Sequence, residues 1–174
     1  MKTKIIIFLT ALFFIQASCK KQRQRPTGDD TLSCYIDGKL FIPKDNFDIY
    51  SAAGSGLSIE YYPKYYNNDI DLFFIEATDH NKYAIIINLC DNIEQNRKYY
   101  FQDGIDDPYS NVTISRVWLK SKNVRYLSKQ GSGWIEFTKF DTITGDYKGK
   151  FEFDLYNKDN PNDVIHVTDG MFDN

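Results

Sequence analysis

A strict alternation of apolar and charged residues near the C-terminus constrains the fold most strongly. The stretch YKGKFEFDL occupies residues 147–155. In a β-strand, successive side chains point to opposite faces of the sheet, so this pattern gathers the apolar residues on one face. The residues on that face are Tyr147, Phe151, Phe153 and Leu155. Lysine, glutamate and aspartate occupy the other face, so we expect one face in a core and the other in water.

Similar strand-like segments follow one another from residue 31 to the C-terminus. The two most apolar, DLFFIEAT and YAIIINLC, occupy residues 71–78 and 83–90. Because consecutive apolar residues imply cover on both faces, these two strands are expected to be central. The predicted strands are residues 32–37, 39–42, 57–62, 70–78, 83–90, 98–102, 112–120, 134–140, 147–155 and 164–168, with a short additional strand at residues 47–51.

The segments between the strands are rich in Asn, Asp, Gly and Pro, which are turn-forming residues. The predicted turns and breaks include a hairpin turn at Asp37-Gly38, a loop at residues 63–69 and a strand end at Asp169-Gly170. No stretch has apolar residues at helical spacing over more than two turns. The chain is therefore predicted to be all-β: an antiparallel β-sandwich or partly open β-barrel of roughly 8–10 strands, with little helix outside the signal peptide.

The N-terminal residues 1–18 have the pattern of a secretory signal peptide. Two lysines precede the uncharged apolar run IIIFLTALFFI at residues 5–15, and the small pair Ala-Ser then precedes Cys19. The apolar run is too short for a transmembrane helix, which needs roughly 20 residues. We therefore expect residues 1–18 to be a targeting segment outside the folded domain.

The position of Cys19 directly after small residues resembles the lipobox of bacterial lipoproteins, whose signal peptidase cuts before a lipid-modified cysteine. Gln16 departs from that motif, which usually has leucine there. An ordinary signal peptide with an incidental cysteine, or an uncleaved anchor, is the alternative. Two or three acyl chains on Cys19 would hold the protein stably at a membrane, since one chain alone binds only marginally.

A polar tether, CKKQRQRPTGDD at residues 19–30, precedes a single domain at residues 31–174. Its basic residues either face solvent or lie against anionic lipid headgroups. A basic run after the cysteine resembles the corresponding segment of lipoproteins that face the periplasm. We therefore expect a location at the periplasmic face of the outer membrane. The chain has a formal net charge of −3, which argues against a nucleic-acid partner because such a partner requires a basic face.

Three C-terminal segments carry a further pattern: TKFD at residues 138–141, GKFEF at residues 149–153 and VTDGMFD at residues 167–173. With YIDGKLF at residues 35–41, they resemble a family of Bacteroidota lipoproteins defined only as a domain of unknown function. The matching residues are turn and core positions, so the resemblance implies a fold and a cellular location but no activity. We expect specificity to lie in the unmatched middle, between residues 45 and 130.

Cys34 and Cys90 are the cysteines that remain in the domain. An oxidising compartment permits one disulfide between them, although a domain of this size does not require it. Both lie in predicted strands, and the sequence does not fix their separation in space. A Cys34–Cys90 disulfide and two buried thiols are therefore both open.

The chain has no motif that identifies a reaction. It lacks a phosphate-binding glycine loop and the patterns GxSxG, HExxH and CxxC. Its two histidines, His80 and His166, are predicted in a turn and on the outer face of a strand. A Ser-His-Asp site would need one of them buried beside a nucleophile. We therefore predict no catalytic residue and no cofactor.

Aspartates cluster at residues 103–107 and 159–163. Neither cluster has the alternating Asp ladder followed by Glu that is typical of a calcium loop. Asp-rich turns, in which the side chain bonds its own backbone, explain both clusters. No metal site is predicted.

Tyr61, Tyr62, Tyr65 and Tyr66 form the candidate ligand-binding cluster. They could stack sugar rings or a partner's apolar side chains. Ordinary packing is the alternative, since Tyr61 and Tyr62 must point to opposite faces of one strand. The primary hypothesis is a non-enzymatic, lipid-anchored binding or scaffolding module with an unknown protein or glycan partner. The alternatives are a carbohydrate-binding accessory lipoprotein that uses this cluster, and an envelope hydrolase.

Overall fold

The computed structural model describes residues 30–44, 56–66, 69–80, 82–105, 113–119 and 123–174. These residues form eleven strands and no helix, which confirms the prediction of an all-β fold. The strands are β1 (Thr31–Ile36), β2 (Lys39–Phe41), β3 (Leu57–Tyr66), β4 (Ile70–Thr78), β5 (Tyr83–Asp91), β6 (Lys98–Tyr100), β7 (Ile114–Leu119), β8 (Val124–Leu127), β9 (Gly133–Asp141), β10 (Asp146–Asn157) and β11 (Val164–Asp173). Within the described ranges, no helix is long and apolar enough to cross a membrane.

Several predictions lie outside the described residues. These are the signal peptide at residues 1–18, the lipidation site Cys19, the rest of the tether except Asp30, and the short strand at residues 47–51.

All strand pairs are antiparallel, and β10 is the branch point of the sheet. The main order is β2-β1-β11-β10-β8-β7-β5-β4-β3, with β9 on β10 and β6 on β9. The first part of β10 pairs with β9, whereas only Tyr156 and Asn157 at its end pair with β8. The order ends in β2 on one side and β3 on the other, so the strands do not close into a barrel.

Phe73 shows how β4 faces β9, β10 and β11 across the core. Phe73 is 0% exposed, and its ring contacts one aromatic ring on each of these three strands. The centroid distances are 4.7 Å to Phe137 on β9, 5.4 Å to Tyr147 on β10 and 5.8 Å to Phe172 on β11. The first two contacts are edge-to-face, an arrangement worth about 0.5–1.5 kcal/mol per pair beyond burial. The core therefore lies between two facing layers.

The alternation in β10 has the predicted outcome. Its apolar side chains are buried, and its charged side chains are half-buried or exposed on the other face. β4 and β5 are interior strands with apolar residues on both faces, as expected from their sequences.

Two predicted strand ends are wrong. β3 continues past Tyr62 to Tyr66, with a register shift in its pairing to β4 and a positive φ of 53° at Lys64. β11 continues through Asp169 and Gly170 to Asp173, again with a register shift and with a φ of 52° at Asp169. Residues that favour turns therefore form β-bulges here, because the flanking residues still pair across the sheet.

Candidate functional site

The predicted tyrosine cluster is divided between two faces of β3. Tyr61 points into the core, where its ring lies 5.2 Å from Phe140 and 5.9 Å from Tyr147. Burial, and then a hydrogen bond with Asp71, raise the pKa of Tyr61 to about 12. Tyr62 points outward, which confirms that the two neighbours occupy opposite faces. The Tyr66 side chain lies outside the described part of the structure.

Tyr62 and Tyr65 form an exposed pair on the outer side of the β3 bulge. They are 41% and 49% exposed, and their ring centroids are 5.6 Å apart. The rings are tilted by 50° to each other, so they do not form a flat platform. The Tyr62 hydroxyl donates a hydrogen bond to Glu60, which raises the pKa of Tyr62 and lowers that of Glu60. The predicted cluster therefore contributes two tilted tyrosines to the surface.

The two cysteines lie on different strands and are thiols in this structure. Cys34 is fully buried in β1, and Cys90 is half-buried near the end of β5. Burial raises the pKa of Cys90 to about 11. A thiol with so high a pKa is a poor nucleophile at neutral pH.

The histidines are not brought together with a nucleophile. His80 lies in the turn after β4, where its backbone N–H donates to the Thr78 hydroxyl. Nδ1 of His166 lies 2.7 Å from Asp154 on the outer face of the sheet, and both side chains are exposed. The Nε2 atom of His80 is buried but has no hydrogen-bond partner among the described residues, and the His166 ring bonds Asp154, so neither ring is hydrogen-bonded to a nucleophile there.

One aspartate of each predicted cluster has structural hydrogen-bond partners. Asp103 accepts a hydrogen bond from the Gln130 backbone at 3.0 Å. Asp163 accepts one from the Tyr126 hydroxyl and one from the Asn157 amide, each at 2.9 Å. Among the residues that the structure describes, no group of three or more His, Cys, Asp or Glu residues could hold a metal ion. Asp106 and Asp107 lie outside those residues.

A cleft that no sequence pattern predicts lies beside the short edge strand β6. We call it the aromatic cleft, and it is lined by Tyr100, Phe101, Gln102, Asp103, Gln130 and Gly131. Its volume is about 550 Å³. Ligand pockets usually measure about 300–1,000 Å³, so the cleft has room for a small ligand or one segment of a polymer.

The alternation of β6 and the residue after it positions the cleft. Tyr99 and Phe101 are buried, and the Phe101 ring packs edge-to-face on Phe153 at 5.4 Å. Tyr100 lies between them, points away from the core and is 62% exposed. The two inward side chains therefore fix the backbone, and Tyr100 is presented on the rim of the cleft.

Backbone hydrogen bonds hold the two walls of the cleft together. The Gly131 N–H donates to the Phe101 carbonyl at 2.8 Å, and the Phe101 N–H donates to the Gly133 carbonyl at 3.1 Å. Asp103 accepts from the Gln130 N–H in the same region. The side-chain amides of Gln102 and Gln130 make no hydrogen bond to any other described residue and are exposed. The backbone is thus ordered while side-chain donors and acceptors stay available.

A row of outward side chains extends from the cleft across three strands. Tyr100 on β6 is opposite Trp134 on β9, and Trp134 is opposite Glu152 on β10. The Lys98 ammonium lies 3.8 Å from the centroid of the Trp134 ring, a cation–π contact. An aromatic, a cation and a carboxylate therefore lie on the same face of the sheet as Tyr100.

The sequence offered only a weak signal for this site. The run KYYFQ at residues 98–102 predicts that Tyr100 and Tyr99 point to opposite faces. It does not predict that residues 130–131 form the opposite wall, because that contact depends on the long-range pairing of β6 with β9. Comparisons with protein-family models, with curated proteins and with solved structures gave no match.

Proposed function

We propose that this protein is a non-enzymatic binding module of the cell envelope that takes its ligand in the aromatic cleft. The geometry of the cleft supports this proposal. Tyr100 and the amides of Gln102 and Gln130 are exposed, and internal hydrogen bonds fix the backbone that holds them. Preorganised sites bind with a smaller loss of conformational entropy. The two histidines lie apart from the cleft lining, so the geometry favours binding over hydrolysis.

The sequence pattern supports a location in the cell envelope. In this proposal, residues 1–18 direct export, Cys19 carries the lipid and the module faces the periplasm from the outer membrane. A tether of residues 19–30 would span at most about 40 Å when extended, at roughly 3.3–3.6 Å per residue. A tether of this length allows the domain to bind a partner in the envelope while Cys19 stays anchored in the membrane.

Site-directed photo-crosslinking in intact cells tests the proposal. A benzophenone amino acid replaces Tyr100 in one variant and Ile143 in a matched control, because Ile143 is 94% exposed in the turn after β9. We expect a discrete crosslinked product from position 100 and none from position 143. Equal, diffuse labelling from both positions, or no product from either, contradicts the proposal.

A further inference from the structure

We propose that the aromatic cleft binds a neutral saccharide; this inference rests on the proposed function and names the ligand class of the same site. A sugar ring has an apolar C–H face and a rim of hydroxyl groups. The exposed ring of Tyr100 can stack on the C–H face. The amides of Gln102 and Gln130 each offer a donor and an acceptor to hydroxyl groups, and Asp103 keeps further acceptor capacity.

The charges around the cleft favour a neutral ligand. Asp103 and Glu152 are exposed carboxylates, and both would repel an anion. Lys98 and Tyr100 point to the same face of β6, so the Lys98 ammonium would repel a cationic ligand. An uncharged polyol avoids both conflicts and can hydrogen-bond the two amides and Asp103.

The geometry also disfavours an extended peptide as the ligand. Peptides that add to a sheet edge depend on a row of main-chain hydrogen bonds. The edge strand beside the cleft is β6, which has only 3 residues. Such a short edge provides few main-chain partners, whereas the aromatic ring and the amides remain available for a saccharide.

The test is isothermal titration calorimetry on the full-length protein in a detergent without a sugar headgroup. The probes are cellohexaose, xylohexaose, mannohexaose and maltohexaose. We expect saturable binding of at least one probe and a loss of about tenfold or more in affinity for Tyr100→Ala. Tyr100→Phe should keep most of the affinity, since it keeps the ring.

Tyr65→Ala is the matched control, because Tyr65 is also an exposed tyrosine but lies on the β3 bulge. It should bind like the unmodified protein. Thermal melts of all variants check that the fold is intact. If affinity falls for Tyr65→Ala and not for Tyr100→Ala, the cleft is not the saccharide site and the inference is overturned.

The saccharide inference and the proposed function can fail separately. If no probe binds but photo-crosslinking at position 100 still gives a discrete product, the ligand is not one of these saccharides and only the inference falls. If no probe binds and position 100 captures nothing, both fall.

Discussion

The ring of Phe172 on β11 covers the backbone of Gly149, its direct partner on β10. A Cβ at Gly149 would lie 2.5 Å from the Glu136 carbonyl oxygen and would also collide with the Phe172 ring. The reverse pair is two residues away, where Phe151 on β10 covers Gly170 on β11. The two glycines therefore make room for the two rings that close this side of the core.

Gly149→Ala should destabilise the domain by about 1–3 kcal/mol, the usual cost of overpacking a core. The measurement is urea unfolding of the variant and the unmodified protein. Lys150→Ala is the control, because Lys150 is exposed on the same strand and its loss should change stability by less than about 0.5 kcal/mol. Equal stability of the two variants would mean that Phe172 does not pack on Gly149.

The difference between the predicted and observed folds has a physical cause. Local alternation is enough to predict the faces of β10 and the opposite directions of Tyr61 and Tyr62, since both depend only on strand geometry. It fails at the β3 and β11 bulges, where cross-strand pairing overrides local turn preference. It also missed β8, whose four residues carry too short a pattern.

The aromatic cleft could not be predicted for the same reason. Tyr100 and Gln130 are far apart in sequence and meet only because β6 pairs with β9. Tyr61, Tyr62, Tyr65 and Tyr66 are close together in sequence and were therefore predicted to form one cluster. Adjacency along a strand divides side chains between two faces, whereas pairing between strands brings them together.

The tyrosines in the core predict a loss of stability at alkaline pH. Burial, and then a hydrogen bond to Asp163, raise the pKa of Tyr126 to about 12, above its value of about 10 in an unfolded chain. Stability should therefore be unaffected by this group below about pH 10 and should fall between about pH 10 and 12. In an absorbance titration at alkaline pH, Tyr126→Phe should show one fewer tyrosine that ionises near pH 12. If the substitution instead removes a tyrosine that titrates near pH 10, the assignment is contradicted.

Native alkylation measures the state of the two cysteines. With a pKa of about 11, only about one thousandth of Cys90 is thiolate at pH 8, so iodoacetamide should modify it slowly in the folded protein. Cys34 should be protected by its full burial. Both should react quickly after unfolding without a reductant. A Cys34–Cys90 disulfide, seen by mass spectrometry as resistance to alkylation until reduction, would contradict this prediction.

The proposed anchor depends on Cys19. Cys19→Ala should abolish incorporation of labelled fatty acid and should leave the protein unprocessed or released from membranes. Lys20→Ala is the control, since it changes the next residue and keeps the acceptor sulfur. Normal maturation and membrane partitioning of Cys19→Ala would rule out lipid anchoring at this residue.

Hydroxyl-radical footprinting of the protein in intact envelopes tests the central claim most directly. The reaction rate of Tyr100 is compared between the envelope and the purified protein in detergent, with Tyr62 and Tyr65 as exposed internal controls. If the aromatic cleft holds a ligand in the envelope, Tyr100 should react several-fold more slowly there, while both controls react at the same rate in each setting. Equal Tyr100 rates in both settings, or protection of Tyr62 and Tyr65 instead, would contradict a binding function for the cleft.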